Sequence, residues 1–241
     1  MKFFMAQFEN SMPYYGSDSL EAVNTIFRKV YQYMAIGLIL TALTAWFSAS
    51  SPAMIRMLFS SQMPLIILAV AEIGLVIYLG ASINKLSAST AFMLFAVYSI
   101  LNGMTCSVVL LVYTGESVYK AFLSTAGMFG AMSIYGLYTK RDLTSFGSFL
   151  RMGLFGLIIA MVINLFIRSS MVELYVSIFG IIIFLGLTAY DTAKIKTMAN
   201  EIDVNDENIA GRVAVIGALE LYLDFINIFL YFLRLFGKNR D

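Results

Sequence analysis

The sequence predicts an all-α, polytopic membrane protein with seven transmembrane helices, and three observations carry that prediction. Apolar residues make up 60% of the 241 and charged ones 13%, roughly half the charge of an ordinary soluble domain. Mean hydropathy is +0.82, more apolar surface than a water-soluble core of this size can bury, so lipid must be the solvent for much of the chain. The apolar residues gather into segments at 30–50, 63–83, 91–113, 118–138, 150–167, 172–191 and 213–235, each near the ~20 residues a helix needs to cross the hydrocarbon. Stretches such as 66–71 and 181–185 are apolar at every position, whereas a barrel strand would alternate.

Along the chain, residues 1–27 contain Pro13, Gly16, Asp18 and Glu21 and read as a partly ordered polar tail. Gln7, Glu9 and Asn10 cut short the apolar run after Lys2, so this is no signal peptide. Residues 28–241 read as one membrane domain without a dividing linker. Segment two holds Glu72 near its centre, and segments three and five hold Asn102 and Asn164, expected to bond neighbouring helices. Gly74, Gly80, Gly127, Gly130, Gly153 and Gly156 are expected to mark close helix contacts. Proline is confined to positions 13, 52 and 64, outside helices or at their ends, so no Pro-broken helix of the transporter kind is expected. Segment six closes on Asp191, and the longest connection, about 192 to 212, carries Lys194, Lys196 and Arg212.

With the N-terminus in the cytoplasm, that side receives Lys2, Arg28, Lys29, Lys85, Lys140, Arg141, Arg151, Lys194, Lys196 and Arg212. The opposite loops receive Arg56, Lys120 and Arg168. This asymmetry is the positive-inside pattern for the first six helices. Arg234, Lys238 and Arg240 depart from it if segment seven crosses fully, which is the reading adopted.

The chemistry narrows by exclusion. Net charge is +1 and histidine is absent, which removes a nucleic-acid-binding stripe, the usual sensor of near-neutral pH, and His-based metal sites and nucleophiles. Cys106 is alone, so no intrachain disulfide forms. No nucleophile or metal motif supports an enzyme. What remains is intramembrane acid. Glu220, Asp224 and Asn227 are spaced i, i+4 and i+7 and form one stripe of segment seven. A carboxylate at that depth is a functional-site hypothesis by default. The plain alternative for each is a structural hydrogen bond between helices. Asp191 sits near a helix C-terminus, unfavourable for an anion, so a lysine one turn on, a shared proton or a cation should compensate. Acids without a well-buried base suit a cation or proton path, and oxygen ligands without histidine suit hard cations such as calcium.

The residues then resemble a known family. Tyr222-Leu-Asp224-Phe-Ile-Asn227, with Leu233-Arg-Leu-Phe-Gly237, is similar to the last helix of the Bax inhibitor-1, or transmembrane Bax inhibitor motif, family. Leu187-Thr-Ala-Tyr-Asp191-Thr resembles the end of its sixth helix, and Tyr135-Gly-Leu-Tyr-Thr-Lys140-Arg-Asp142-Leu its fourth-to-fifth connection. Met34-Ala-Ile-Gly-Leu38 with Thr41-Ala-Leu-Thr-Ala45 fits its first helix. The likeness spans nearly the whole chain beyond the tail, in the flavour of the bacterial branch. It implies six helices around a central polar seventh, in a bacterial inner membrane. It also implies a pH-sensitive calcium leak gated by an aspartate pair, here Asp191 and Asp224, with calcium as the transported ion and no permanent cofactor. Glu72, Glu220 and Asn227 would support that path. Two facing carboxylates can share one proton, and losing it leaves two anions that must separate or bind a cation. Ser82 stands where members often carry an arginine that engages the pair, so Lys85 is the candidate substitute latch, without bidentate geometry. Ala193 stands where glutamine is common. Two other readings stay open: a cation/proton exchanger, and a modulator or substrate of a membrane-bound AAA protease that grips the tail.

Overall fold

A computed structural model describes residues 17–240, with side chains from residue 21 onward. Among the described residues there are eight α-helices: α1 Ser17–Ser50, α2 Pro52–Phe59, α3 Met63–Ser82, α4 Ala88–Val112, α5 Gly115–Tyr138, α6 Thr144–Ile167, α7 Ser170–Glu201 and α8 Glu207–Phe236. A 3₁₀ turn, Ile83–Lys85, joins α3 to α4. No strand occurs among these residues; one isolated antiparallel bridge pairs Tyr113 with Asn239.

The breaks between helices follow from capping chemistry. Ser51, Ser87, Thr114, Ser169 and Asp206 each leave the helical backbone, and each side chain accepts an N–H two or three residues ahead. Those N–H groups have no partner inside the helix. Pro52 at the start of α2 and Pro64 at the start of α3 sit where a missing N–H costs nothing.

Six helices are long and apolar enough to cross a membrane: α1, α3, α4, α6, α7 and α8. The seventh expected span, α5, has 24 residues and hence the length, but Ser117, Lys120, Ser124, Thr125 and Ser133 dilute its apolar character. The outside of the bundle is apolar: Phe166, Leu165 and Trp46 are 84%, 71% and 65% exposed. The inside holds polar groups such as Asp224, Asn102 and Thr188. That inversion of a soluble protein is what lipid as solvent selects.

Of the six apolar helices α8 is the most buried and α3 the least. α8 packs on α7, α1, α5 and α4; α1 lies along α4, α6 rests on α7, and α3 rests on α4. α8 also runs from one end of the bundle to the other. At its start, Asn208 Oδ1 accepts the Ala88 N–H (2.8 Å) and the Arg212 guanidinium donates to the Asn84 carbonyl (2.7 Å), both at the α3–α4 corner. Past its end, the Thr114 N–H donates to the Lys238 carbonyl and the Arg240 N–H to the Val112 carbonyl, at the α4–α5 corner. α8 therefore spans the same thickness as α4, as expected for a helix that crosses fully.

Three expectations need correction. The helix begins at Ser17, so residues 17–27 belong to α1 rather than to a polar tail; Ile26 and Phe27 are buried. Residues 1–16 of that tail lie outside the described residues. Segment six does not stop at Asp191: α7 continues to Glu201 because Ile195 and Ala199 extend its buried stripe. The glycines expected at close contacts are not the ones that make them. A Cβ on Gly74, Gly80, Gly127, Gly130 or Gly156 meets nothing within 4 Å, and on Gly153 only the tip of Ile183 at 3.0 Å. Close approaches occur instead at other glycines, among them Gly37 and Gly103 between α1 and α4, Gly136 between α5 and α7, and Gly180 against Tyr231.

Candidate intramembrane acid site

The packing of α7 on α8 brings Asp191 and Asp224 together. Asp224 is 3% exposed, in the middle of α8. Asp191 and Glu220 are the charged groups within electrostatic reach of it. Asp191 is half-buried and lies within electrostatic reach of Glu220, Lys194 and Arg151. Thr188, one turn before Asp191, is the polar neighbour of Asp224, and its hydroxyl donates to the Phe184 carbonyl (2.8 Å). Among the described residues, Asp224 Oδ2 and Glu220 Oε2 are buried without a hydrogen-bond partner. A native membrane core seldom leaves such atoms unsatisfied, and those that remain call for a functional explanation.

The site also contains a base that the sequence reading placed outside the membrane. The Lys194 ammonium donates to Glu220 Oε1 at 2.5 Å, with the two side chains 36% and 26% exposed. The extension of α7 sets Lys194 against α8, partly exposed. Lys194 thus pairs with Glu220 across two helices, and the simple i, i+3 pairing with Asp191 is not what forms. Arg151 of α6 lies over the Tyr190 ring, 5.4 Å from its centroid, and adds a second cation beside Asp191. The signal for Lys194 was present: Ile195, Met198 and Ala199 keep the helical apolar period past Asp191.

Lys85 does not act as a latch in this structure. It is exposed in the 3₁₀ turn and forms no ion pair among the described residues. Asn227 donates to the Leu223 carbonyl of its own helix (2.8 Å) rather than to a neighbour. Asn164 accepts the Ser169 N–H (2.9 Å) and so closes the α6–α7 turn.

Glu72 belongs to a second polar cluster. Its oxygens accept from Thr105 (2.6 Å) and Asn102 (3.2 Å). Asn102 Oδ1 accepts the Tyr222 hydroxyl (3.0 Å), which also meets Thr41 Oγ1 at 2.5 Å. Thr41 bonds to the Ser99 carbonyl of α4. This chain ties α3, α4, α8 and α1 together. Tyr222 and Asp224 are two residues apart and so point to nearly opposite sides of α8. The helix therefore carries an acid cluster on its α7 side and a hydrogen-bond chain on its α4 side. The sequence reading grouped Glu72 with the aspartates; the packing separates them.

No three acidic or cysteine side chains among the described residues converge to hold a metal ion. Calcium takes six to eight oxygens, so Asp191 and Asp224 alone supply part of such a shell at most.

These features define a multi-pass helical membrane protein with a buried acid, Asp224, and a half-buried one, Asp191, between its last two helices. The chain belongs to the Bax inhibitor-1 family: the family model described as "Inhibitor of apoptosis-promoting Bax1" matches residues 23–241. It is 47% identical over 218 residues to the inner membrane protein YbhL of Escherichia coli (strain K12), covering 90% of this chain and 93% of that protein. It is 43% identical over 221 residues to an uncharacterized protein of Rickettsia prowazekii, covering 92% of each. A Borreliella burgdorferi protein is 42% identical over 218 residues, covering 90% of this chain and 94% of its own.

Proposed function

We propose that this protein is a pH-sensitive calcium leak in a bacterial inner membrane, with Asp191 and Asp224 as its proton-sharing sensor and part of its ion path. The carrying observation is Asp224 itself: a carboxylate 3% exposed, with an unpartnered oxygen, within electrostatic reach of a second carboxylate, Asp191, on the adjoining helix. One shared proton holds such a pair together. Its loss leaves two anions that repel at low dielectric, and their separation or capture of a cation moves α7 against α8. The Lys194–Glu220 pair, beside them, fixes the cytoplasmic end of that contact. Nothing in this sequence of events requires a catalytic residue, and the role is transport.

In this reading α5 is the seventh span and α8 the central polar helix, packed by α1, α4, α5 and α7. The length of α5 supports this, as do its two ends: Gly115 follows the corner held by the C-terminal tail, while the Leu137 carbonyl accepts from Lys196 (2.9 Å) at the opposite end. The N-terminus is cytoplasmic, by the distribution of lysine and arginine. The inner-membrane setting is suggested by the printed name of the Escherichia coli relative.

The test is calcium flux into proteoliposomes between about pH 5 and pH 8, the range histidine would otherwise cover, for wild type and Asp224→Asn. A pH-dependent flux that asparagine abolishes or flattens supports the switch. Equal, pH-flat flux in both, or none from folded wild type, removes it. Dependence of calcium entry on an imposed proton gradient would convert leak into exchange. Deleting residues 1–16 leaves flux intact here, whereas the protease-modulator reading gives that deletion the larger effect in cells.

A further inference from the structure

A cleft of about 440 Å³ opens between α1 and α5. Its floor is Cys106 and Val109 of α4 with Phe225 and Phe229 of α8, and its walls include Ala42 and Phe122. The lining is almost wholly apolar. In a bilayer such a cleft stays dry, and the filling that matches it is hydrocarbon. The cleft shares Leu110 and Gly115 with a second cavity, also of about 440 Å³, whose wall carries Trp46, Tyr113, Thr114 and Arg240. This second space lies at the end of α4 and the start of α5. It combines the aromatic residues that favour the membrane interface with a guanidinium.

The position of Arg240 is built, not incidental. The chain beyond α8 turns back and is fastened to the α4–α5 corner by backbone bonds: Arg240 N–H to the Val112 carbonyl (2.7 Å) and Thr114 N–H to the Lys238 carbonyl (3.1 Å). The Lys238 N–H adds a bond to Ser117 Oγ (2.9 Å). These bonds set two cations beside the mouth of an apolar groove. Nearby Lys120 is already paired with Glu116.

We propose that this groove binds an anionic phospholipid, one acyl chain lying in the α1–α5 cleft and the phosphate held by Arg240. A planar guanidinium suits a phosphate through paired N–H donors, and an exposed lysine one turn of chain away adds charge. The site also gives a reason for cations at the end of the molecule that is otherwise poor in them.

The test is lipid binding by the detergent-purified full-length chain, read by native mass spectrometry during titration with phosphatidylglycerol and with phosphatidylcholine of the same acyl chains. Wild type is expected to bind the anionic lipid about fivefold more tightly, the increment of one basic residue near a lipid surface. Arg240→Gln should lose most of that preference, the remainder coming from Lys238. Ala42→Phe, whose side chain is exposed on the cleft wall, should weaken both, because the ring occupies the space of the acyl chain. Ile39→Phe adds the same bulk at a lipid-facing position, 58% exposed and outside the cleft, and should leave binding unchanged. Equal affinity of wild type for the two lipids overturns the headgroup assignment. Binding to Ala42→Phe indistinguishable from that to wild type overturns the cleft. Arg240 lies outside the helices, so Arg240→Gln decides the headgroup assignment even if Ala42→Phe fails to fold.

Discussion

Replacing Lys194 by methionine keeps the side-chain stem and removes the charge, which isolates the ion pair with Glu220. The Nζ to Oε1 distance is 2.5 Å, and the side chains are 36% and 26% exposed. A fully buried pair broken on one side costs about 3–5 kcal/mol, and an exposed pair about 0.2–1 kcal/mol. Partial exposure places this one between, at about 1–3 kcal/mol. Glu220 then has no cation on Oε1 and already has none on Oε2, while Asp191 and Asp224 lie beside it. Cys106 offers the assay: it is the sole cysteine and is 8% exposed, so a thiol-reactive fluorogenic dye reports unfolding in detergent. The expected fall in Tm is about 2–12 °C, at about 2–4 °C per kcal/mol for a chain of this size. The decisive variant is Lys194→Met with Glu220→Gln, which leaves no unpaired charge and should recover most of the loss. If the double variant is as unstable as the sum of the two single ones, the pair does not couple and the reasoning fails.

Tyr222→Phe removes the hydroxyl that joins Thr41 to Asn102; it should cost about 0.6–2 kcal/mol in the same dye assay. Because Tyr222 faces away from Asp224, the pH profile of calcium flux should keep its shape, and a shifted profile would show that the two clusters communicate. Gly103→Ala places a Cβ 2.7 Å from the Thr41 carbonyl oxygen, so α1 must move off α4 at about 1–3 kcal/mol. Gly127→Ala meets nothing within 4 Å and should be neutral or slightly stabilising, as an open helical position allows; equal Tm shifts in the two would contradict the packing described.

The all-helical membrane class was legible because lipid imposes unbroken apolar segments near helix-spanning length, and six of the seven expected spans are long and apolar enough to cross, whereas the full extents of α1 and α7 were not legible. Asp224 stood out for a related reason, as a carboxylate in such a segment, whereas its pairing with Asp191 was implied by the family resemblance and not by the segment itself. Side-chain partners were not legible. The local apolar period says that α7 continues past Asp191, but not that Lys194 turns toward Glu220, since that depends on which face meets α8. The glycines failed for the same reason. Gly127 and Gly130 look like Gly103 and Gly136 in sequence, and only the placement of a neighbouring helix distinguishes an open surface from a tight crossing. Glu72 was readable as hydrogen-bonded but not as separate from Asp224, because that separation rests on Tyr222 pointing to the opposite side of α8.

In the proposed switch, Asp191 and Asp224 hold one proton between them. Infrared difference spectroscopy of the reconstituted protein, titrated across the pH range of the flux assay, observes it directly through the carbonyl stretch of a protonated carboxyl. The account predicts one such band that disappears in step with the change in flux and is altered in both Asp191→Asn and Asp224→Asn. Two bands that titrate independently, each lost only in its own variant, would contradict it.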